Sequence, residues 1–309
     1  MKATGGAWDP AVRPLYFAAA ASTALPLSER MPGNVLIAVN DVMTDKAERV
    51  ALAWPIESGR RVLLDSGIYA MTQAHSRAHG MSMAEALALH PAQIDGFTEL
   101  HARYCELVNR YGDRLWGYIE LDQGGAVNKR RIRAGLESMG YAPMPVYHPL
   151  NDGWDYFDEL AAGYDRICLG NLVDAGTALR QRLLHTLWER HRAYPDLWVH
   201  ILGLAGDPMC FSCPFESVDT STWLGMARYG AAKHESAMLR SVAGLGLPYR
   251  AGIGGGVPRH NGLVLAAEAL TFTGTIWAGA QDRITGELGQ SPLPPYAAGE
   301  PLPRPREEK

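Results

Sequence analysis

The feature that most constrains this chain is a rhythm: short runs rich in Val, Ile and Leu recur between longer amphipathic stretches, and each run ends in polar or glycine residues. An apolar run without polar alternation suits a strand buried on both faces. Such strands separated by helices are successive βα units around a parallel sheet. The expected strands are Asn34 to Val39, Arg61 to Asp65, Trp116 to Asp122, Met144 to His148, Arg166 to Gly170, Trp198 to Leu204 and Ser217 to Asp219. Ser82 to Tyr111 carries Met83, Leu87, Ile94, Phe97, Leu100, Tyr104 and Leu107 at roughly helical spacing, and Pro91 divides it into two helices. Ala175 to His191 repeats the period, and Pro258 to Ala278 reads as a further helix or helix pair led in by Ala251 to Gly256. The rhythm alone leaves barrel and open sheet undecided.

A 309-residue chain that is 47% hydrophobic and 20% charged can bury one large core. The expected division is an N-terminal extension over residues 1–33, a catalytic α/β domain over 34–284 and a proline-rich tail over 285–309. A net charge of -4 removes the global attraction that strongly basic nucleic-acid binders use, so any phosphate contact must be local. No stretch approaches the roughly 18 apolar residues of a membrane span, and the start lacks a signal-peptide pattern, so a cytoplasmic protein is expected. Cys105, Cys168, Cys210 and Cys213 are too few and irregular for a disulfide framework. Cys210 and Cys213 make half of a zinc site with no further cysteine to complete it, so no metal is expected.

Chemistry concentrates at strand ends. Asp65 ends one strand in Asp65-Ser66-Gly67, Asp122 ends another ahead of Gly124 and Gly125, and Asp219 ends a third inside the hydroxyl-rich Ser217 to Ser221. In α/β folds that edge of the sheet carries the active site, although each aspartate also fits the bland role of capping a turn or helix. Hydroxyls around Asp219 can hold a carboxylate ionised, as a carboxylate nucleophile requires. His148 and the Gly170-Asn171 pair are strand-end groups able to read a base edge, against the commoner role of a structural histidine. Tyr69 and Phe215 are candidates for stacking on a base. Gly252 to Pro258 could cradle a phosphate or simply connect two elements. Lys129, Arg130 and Arg133 form the dense basic cluster, either a nucleic-acid backbone contact or a solvated helix face with Ile132 and Leu136 toward the core.

Taken in order, Leu63-Leu-Asp65-Ser-Gly67-Ile-Tyr69, Leu169-Gly170-Asn-Leu, His200-Ile-Leu-Gly203-Leu and Ser217-Val-Asp219 resemble the motifs of tRNA-guanine transglycosylases. The similarity is closer to the shorter phage and bacterial relatives that put 7-deazaguanine bases into DNA, and it spans about Val62 to Trp223. The resemblance implies a (β/α)8 TIM-like barrel. It implies Asp65 as general acid/base and Asp219 as nucleophile, with Ser66, Asp122, His148 and Gly170 at the base; His148 stands where the family carries an amide. The tRNA enzymes have a zinc site of three cysteines and a histidine after the nucleophile strand. This chain has no cysteine beyond Cys213, so neither the zinc subdomain nor any other cofactor is expected.

The resulting expectation is exchange of guanine for a 7-deazaguanine base in DNA, with RNA as the alternative acceptor, through a covalent aspartyl-glycosyl intermediate. Asp65 would titrate nearer neutrality than Asp219. Two other readings are a non-catalytic barrel that binds nucleic acid or a partner, and a hydrolase of free nucleosides or sugars. The oligomeric state, a homodimer included, is left open.

Overall fold

The computed structural model describes residues 1–9, 15–24, 27, 31–204, 213 and 215–221 of the chain. Among the described residues eight strands carry the fold: β1 Leu15–Ala19, β2 Asn34–Ala38, β3 Arg61–Asp65, β4 Gly117–Tyr118, β5 Val146–Tyr147, β6 Arg166–Leu169, β7 Trp198–Ile201 and β8 Ser217–Thr220. They form one sheet in the order β4-β3-β2-β1-β8-β7-β6-β5, and every pairing is parallel. The sheet is curled. A parallel bridge between Ile119 and Met144 joins the segments beside its two edges, with Met144 N donating to Tyr118 O at 2.8 Å and Glu120 N to Met144 O at 3.0 Å.

Helices Ile68–His79, Met83–Ala88 and Phe97–Tyr111 connect β3 to β4, and Gly125–Ser138, Trp154–Gly163 and Thr177–His191 make the next three crossovers. Strand periodicity sorts the core into two layers. Val35, Ile37, Val62, Leu64, Ile167 and Leu169 pack outward with the helices, whereas Leu36, Leu63 and Cys168 turn inward to join Phe17, Trp116 and Trp198. Trp116, just before β4, meets Trp198 of β7 at 5.6 Å between ring centres, and Phe17 of β1 meets Trp116 at 4.9 Å. Such contacts between strands remote in the sheet order require its curl. Both faces being covered explains why the strands read as continuous apolar runs.

The N-terminal segment corrects the division expected from sequence. Leu15–Ala19 lies inside the sheet between β2 and β8 rather than in an extension. Residues 2–8 run across the ends at which β4, β5 and β6 begin: Ala7 N donates to Leu115 O at 2.6 Å, Gly5 N to Ala142 O at 2.6 Å and Asp165 N to Lys2 O at 3.1 Å. Arg166, fully buried, donates to Thr4 Oγ1, Gly5 O and Trp116 O and sits between the Trp8 and Trp116 rings. Burial pulls its guanidinium down to about 10. With that end filled, the opposite edge is left for chemistry. Cys210, Gly252 to Pro258, the helix expected at Pro258 to Ala278 and the tail lie outside the described residues.

Candidate functional site

The inward parity that places Leu63 in the inner layer also governs Asp65, two residues on; the same alternation carries Cys168 to Gly170, Val146 to His148, and Trp198 to His200. Because the strands are parallel, these positions and Asp219 gather at one edge of the sheet. Asp65, Asp122, His148, Gly170 and Asp219, expected as one group, are thus brought to the C-terminal strand ends.

Asp65 closes β3 and accepts from Gly67 N at 3.3 Å. Burial, followed by the charges of Asp122 and Asp219, pushes its carboxyl up from 3.8 to about 7. That mutual influence requires the three carboxylates to share one region. Gly67 holds a φ of 80°, and a Cβ there would fall 1.5 Å from Asn40 Oδ1, so the turn that presents Asp65 requires glycine.

Asp122 behaves oppositely. Burial alone would raise its carboxyl, but a hydrogen bond and charge from His148, together with the charge of Lys129, hold it below the usual range. His148 Nε2 lies 2.8 Å from Asp122 Oδ2, and Ser66 Oγ donates to Asp122 Oδ1 at 3.4 Å. Ser66 and His148 therefore both hold Asp122. A Cβ on Gly170 would come within 2.7 Å of His148 Cδ2, so the missing side chain at Gly170 makes room for the His148 ring.

Asp219 Oδ1 accepts from Gly203 N at 2.9 Å and lies 3.2 Å from His200 Nε2. The polarity of this chain of bonds is fixed from its far end. Trp198 Nε1, which can only donate, gives its hydrogen to Ser217 Oγ at 2.7 Å. The Ser217 hydroxyl can then donate to His200 Nδ1 at 2.9 Å, and in that tautomer the ring hydrogen sits on Nε2, facing Asp219. Asp219 is thereby held through Oδ1 by two donors. His200, fully buried, was given no role from the sequence; its inward position in β7 was the available signal.

The basic cluster is a correction. On helix Gly125–Ser138, Lys129 (0% exposed) and Arg133 (4% exposed) face inward, the reverse of either expectation. Lys129 pairs with Asp152 and donates to Val146 O at 3.0 Å, beneath Asp122. Arg133 forks between Glu120 at 2.7 Å and the hydroxyls of Tyr156 and Tyr164. Neither can meet a phosphate backbone, because leaving its partner would strand a buried charge. Arg130 is exposed but engaged by Glu159. Phe215 is also corrected as a stacking residue: it is buried edge-on against Trp188, at 5.1 Å, and beside His191. Tyr69 stays exposed and donates to Asp174 Oδ1 at 3.0 Å, linking the segments that follow β3 and β6. Cys213 is a buried thiol pushed up to about 12 by its burial.

The fold and site together define an α/β protein with a curled parallel sheet and a trio of carboxylates at its C-terminal strand ends. No known family model matches the chain, and no curated protein matches it.

Proposed function

We propose that the chain is a transglycosylase that exchanges guanine for a 7-deazaguanine base in DNA, built on a (β/α)8 barrel. The strand order and the Ile119 to Met144 bridge support the barrel. The observation that carries the function is the contrast between two acids: Asp65 is raised to about 7 by burial and by its acidic neighbours, while Asp219 is held by the Gly203 amide and His200. Neighbouring carboxyls in contrasting environments divide the labour of glycosyl chemistry.

The Asp219 carboxylate attacks the anomeric carbon as the bond to the guanine nitrogen breaks, and the Asp65 proton goes to the departing base. The incoming 7-deazaguanine then gives its ring proton to the Asp65 carboxylate, and its nitrogen displaces Asp219 from the anomeric carbon. Two inversions retain configuration. Asp122, fixed by Ser66 and His148, offers an acceptor edge to the base. A base within a duplex must first be extruded, at a cost of a few kcal/mol, so single strands are the easier substrate.

The test uses guanine-containing DNA and a labelled deazaguanine base with the parent and its Asp219→Ala and Asp219→Asn variants. The parent incorporates label and forms a denaturant-stable protein-DNA adduct, and both variants lose both properties. Incorporation by the Ala variant removes Asp219 from the nucleophile role. The inward turn of Lys129 and Arg133 favours a second reading, hydrolysis of a free nucleoside by the same acids. A steep fall of DNA binding with salt supports the nucleic-acid substrate, and salt-independent turnover of nucleosides supports the second reading.

A further inference from the structure

Away from the strand-end acids, helix Ile68–His79 carries His75 and His79 four residues apart, on one face and with ring centres 4.2 Å apart. Asp95 reaches the same point from the segment between the short turn Pro91–Gln93 and helix Phe97–Tyr111. Its Oδ2 lies 2.9 Å from His75 Nδ1 and 2.9 Å from His79 Nε2, and the three atoms all fall within 4.8 Å of one another. We propose that His75, His79 and Asp95 form a binding site for a divalent transition-metal ion of the zinc class.

Three features support it. Bonds of about 2.0–2.1 Å from one ion to nitrogen and oxygen place neighbouring ligand atoms roughly 3.0–3.4 Å apart, close to the 2.9 Å that separates Asp95 Oδ2 from each of the two ring nitrogens. Two imidazoles with one carboxylate select zinc, cobalt or nickel over magnesium or calcium, which prefer all-oxygen sets. The exposure is graded: the His75 side chain is 5% exposed and anchored, whereas His79 at 49% and Asp95 at 70% face solvent, so an ion can enter and keep water on its remaining positions. Each neutral imidazole offers the ion the lone pair of that nitrogen and carries its hydrogen on the other, a tautomer that the Asp95 amide, donating to His75 Nδ1 at 3.3 Å, favours for His75. Bound there, the ion cross-links the helix that follows the Asp65 turn to the segment ahead of Phe97. The signal in the sequence is the His75-x-x-x-His79 spacing on a helix.

The experiment titrates the chelator-treated full chain with Co2+ and then Zn2+, beside His79→Ala and Asp95→Asn. The parent takes up one equivalent of Co2+, with visible bands of nitrogen and oxygen coordination and no thiolate charge-transfer band, and Zn2+ displaces it. Both variants alter exposed side chains, and circular dichroism matching the parent excludes misfolding; each binds at least about tenfold more weakly, as loss of one ligand demands. Zn2+ also raises the thermal midpoint of the parent and leaves those of the variants unmoved. No binding by the parent, a thiolate band, or unchanged affinity in both variants overturns the assignment.

Discussion

Replacing Asp65 by Asn tests the electrostatics of the strand-end acids without reference to any substrate. Because the folded carboxyl is raised from 3.8 to about 7, the native chain keeps a proton that the unfolded chain has already released at intermediate pH. The stabilising contribution is fully present below about pH 4 and is lost as pH rises through about 7. At about 1.36 kcal/mol per unit, a rise of roughly three units sets an upper bound of about 4 kcal/mol lost by about pH 8. Asn matches Asp in shape, and its oxygen can still accept from Gly67 N, a contact of 3.3 Å in the parent. Urea unfolding of both proteins at steps from about pH 4 to about pH 8 measures the difference. The variant gains on the parent by up to about 4 kcal/mol across that window, accruing at about 1.36 kcal/mol per pH unit between the two titrations and levelling off above about pH 7. Parallel stability curves for the two proteins refute the reasoning, because they mean that Asp65 titrates alike in folded and unfolded chains.

Asp122→Asn removes the charge that raises Asp65 most, so the loss of stability is complete at a lower pH than in the parent; the same unfolding series reads that shift, and an unmoved midpoint counts against the coupling. Gly170→Ala places a Cβ 2.7 Å from His148 Cδ2 and costs about 1–3 kcal/mol of unfolding free energy, whereas Gly176→Ala, with nothing within 4 Å, costs little. Equal costs at the two positions contradict the close approach of His148. Arg133→Met leaves Glu120 buried without its 2.7 Å partner and costs about 3–5 kcal/mol, and adding Glu120→Leu recovers much of that loss in urea unfolding.

The strands were legible because each is a short apolar run bounded by polar or glycine residues, and Arg61–Asp65 was read with its observed bounds. The expected Trp116 to Asp122 shrinks to Gly117–Tyr118, followed by the isolated Ile119 to Met144 bridge, and there the Glu120 side chain meets Arg133 and Val146 N, contacts no local pattern encodes. Leu15–Ala19 was missed because its alanines run on into Ala20 to Ala24 and blur the strand signal. At the site, the residues that end strands were legible, since alternation fixes which side they face. The burial of Lys129 and Arg133 was not, because Asp152 and Glu120 lie on other segments and only the fold brings them beneath the helix. Trp198 and Ser217 likewise become parts of one hydrogen-bonded line only when β7 and β8 pair.

The pairing of β1 with β8 has a consequence for biosynthesis. Leu15 leaves the ribosome about two hundred residues before its neighbour Ser217. At about 5–20 residues per second, that flank of the first strand lacks its native neighbour for on the order of ten seconds or more. An open β edge invites pairing with other chains, and contacts this distant in sequence form slowly. Nascent copies translated close together on one messenger are therefore exposed to mispairing at Leu15–Ala19 until Ser217–Thr220 is made, and a translational stall before that point lengthens the hazard.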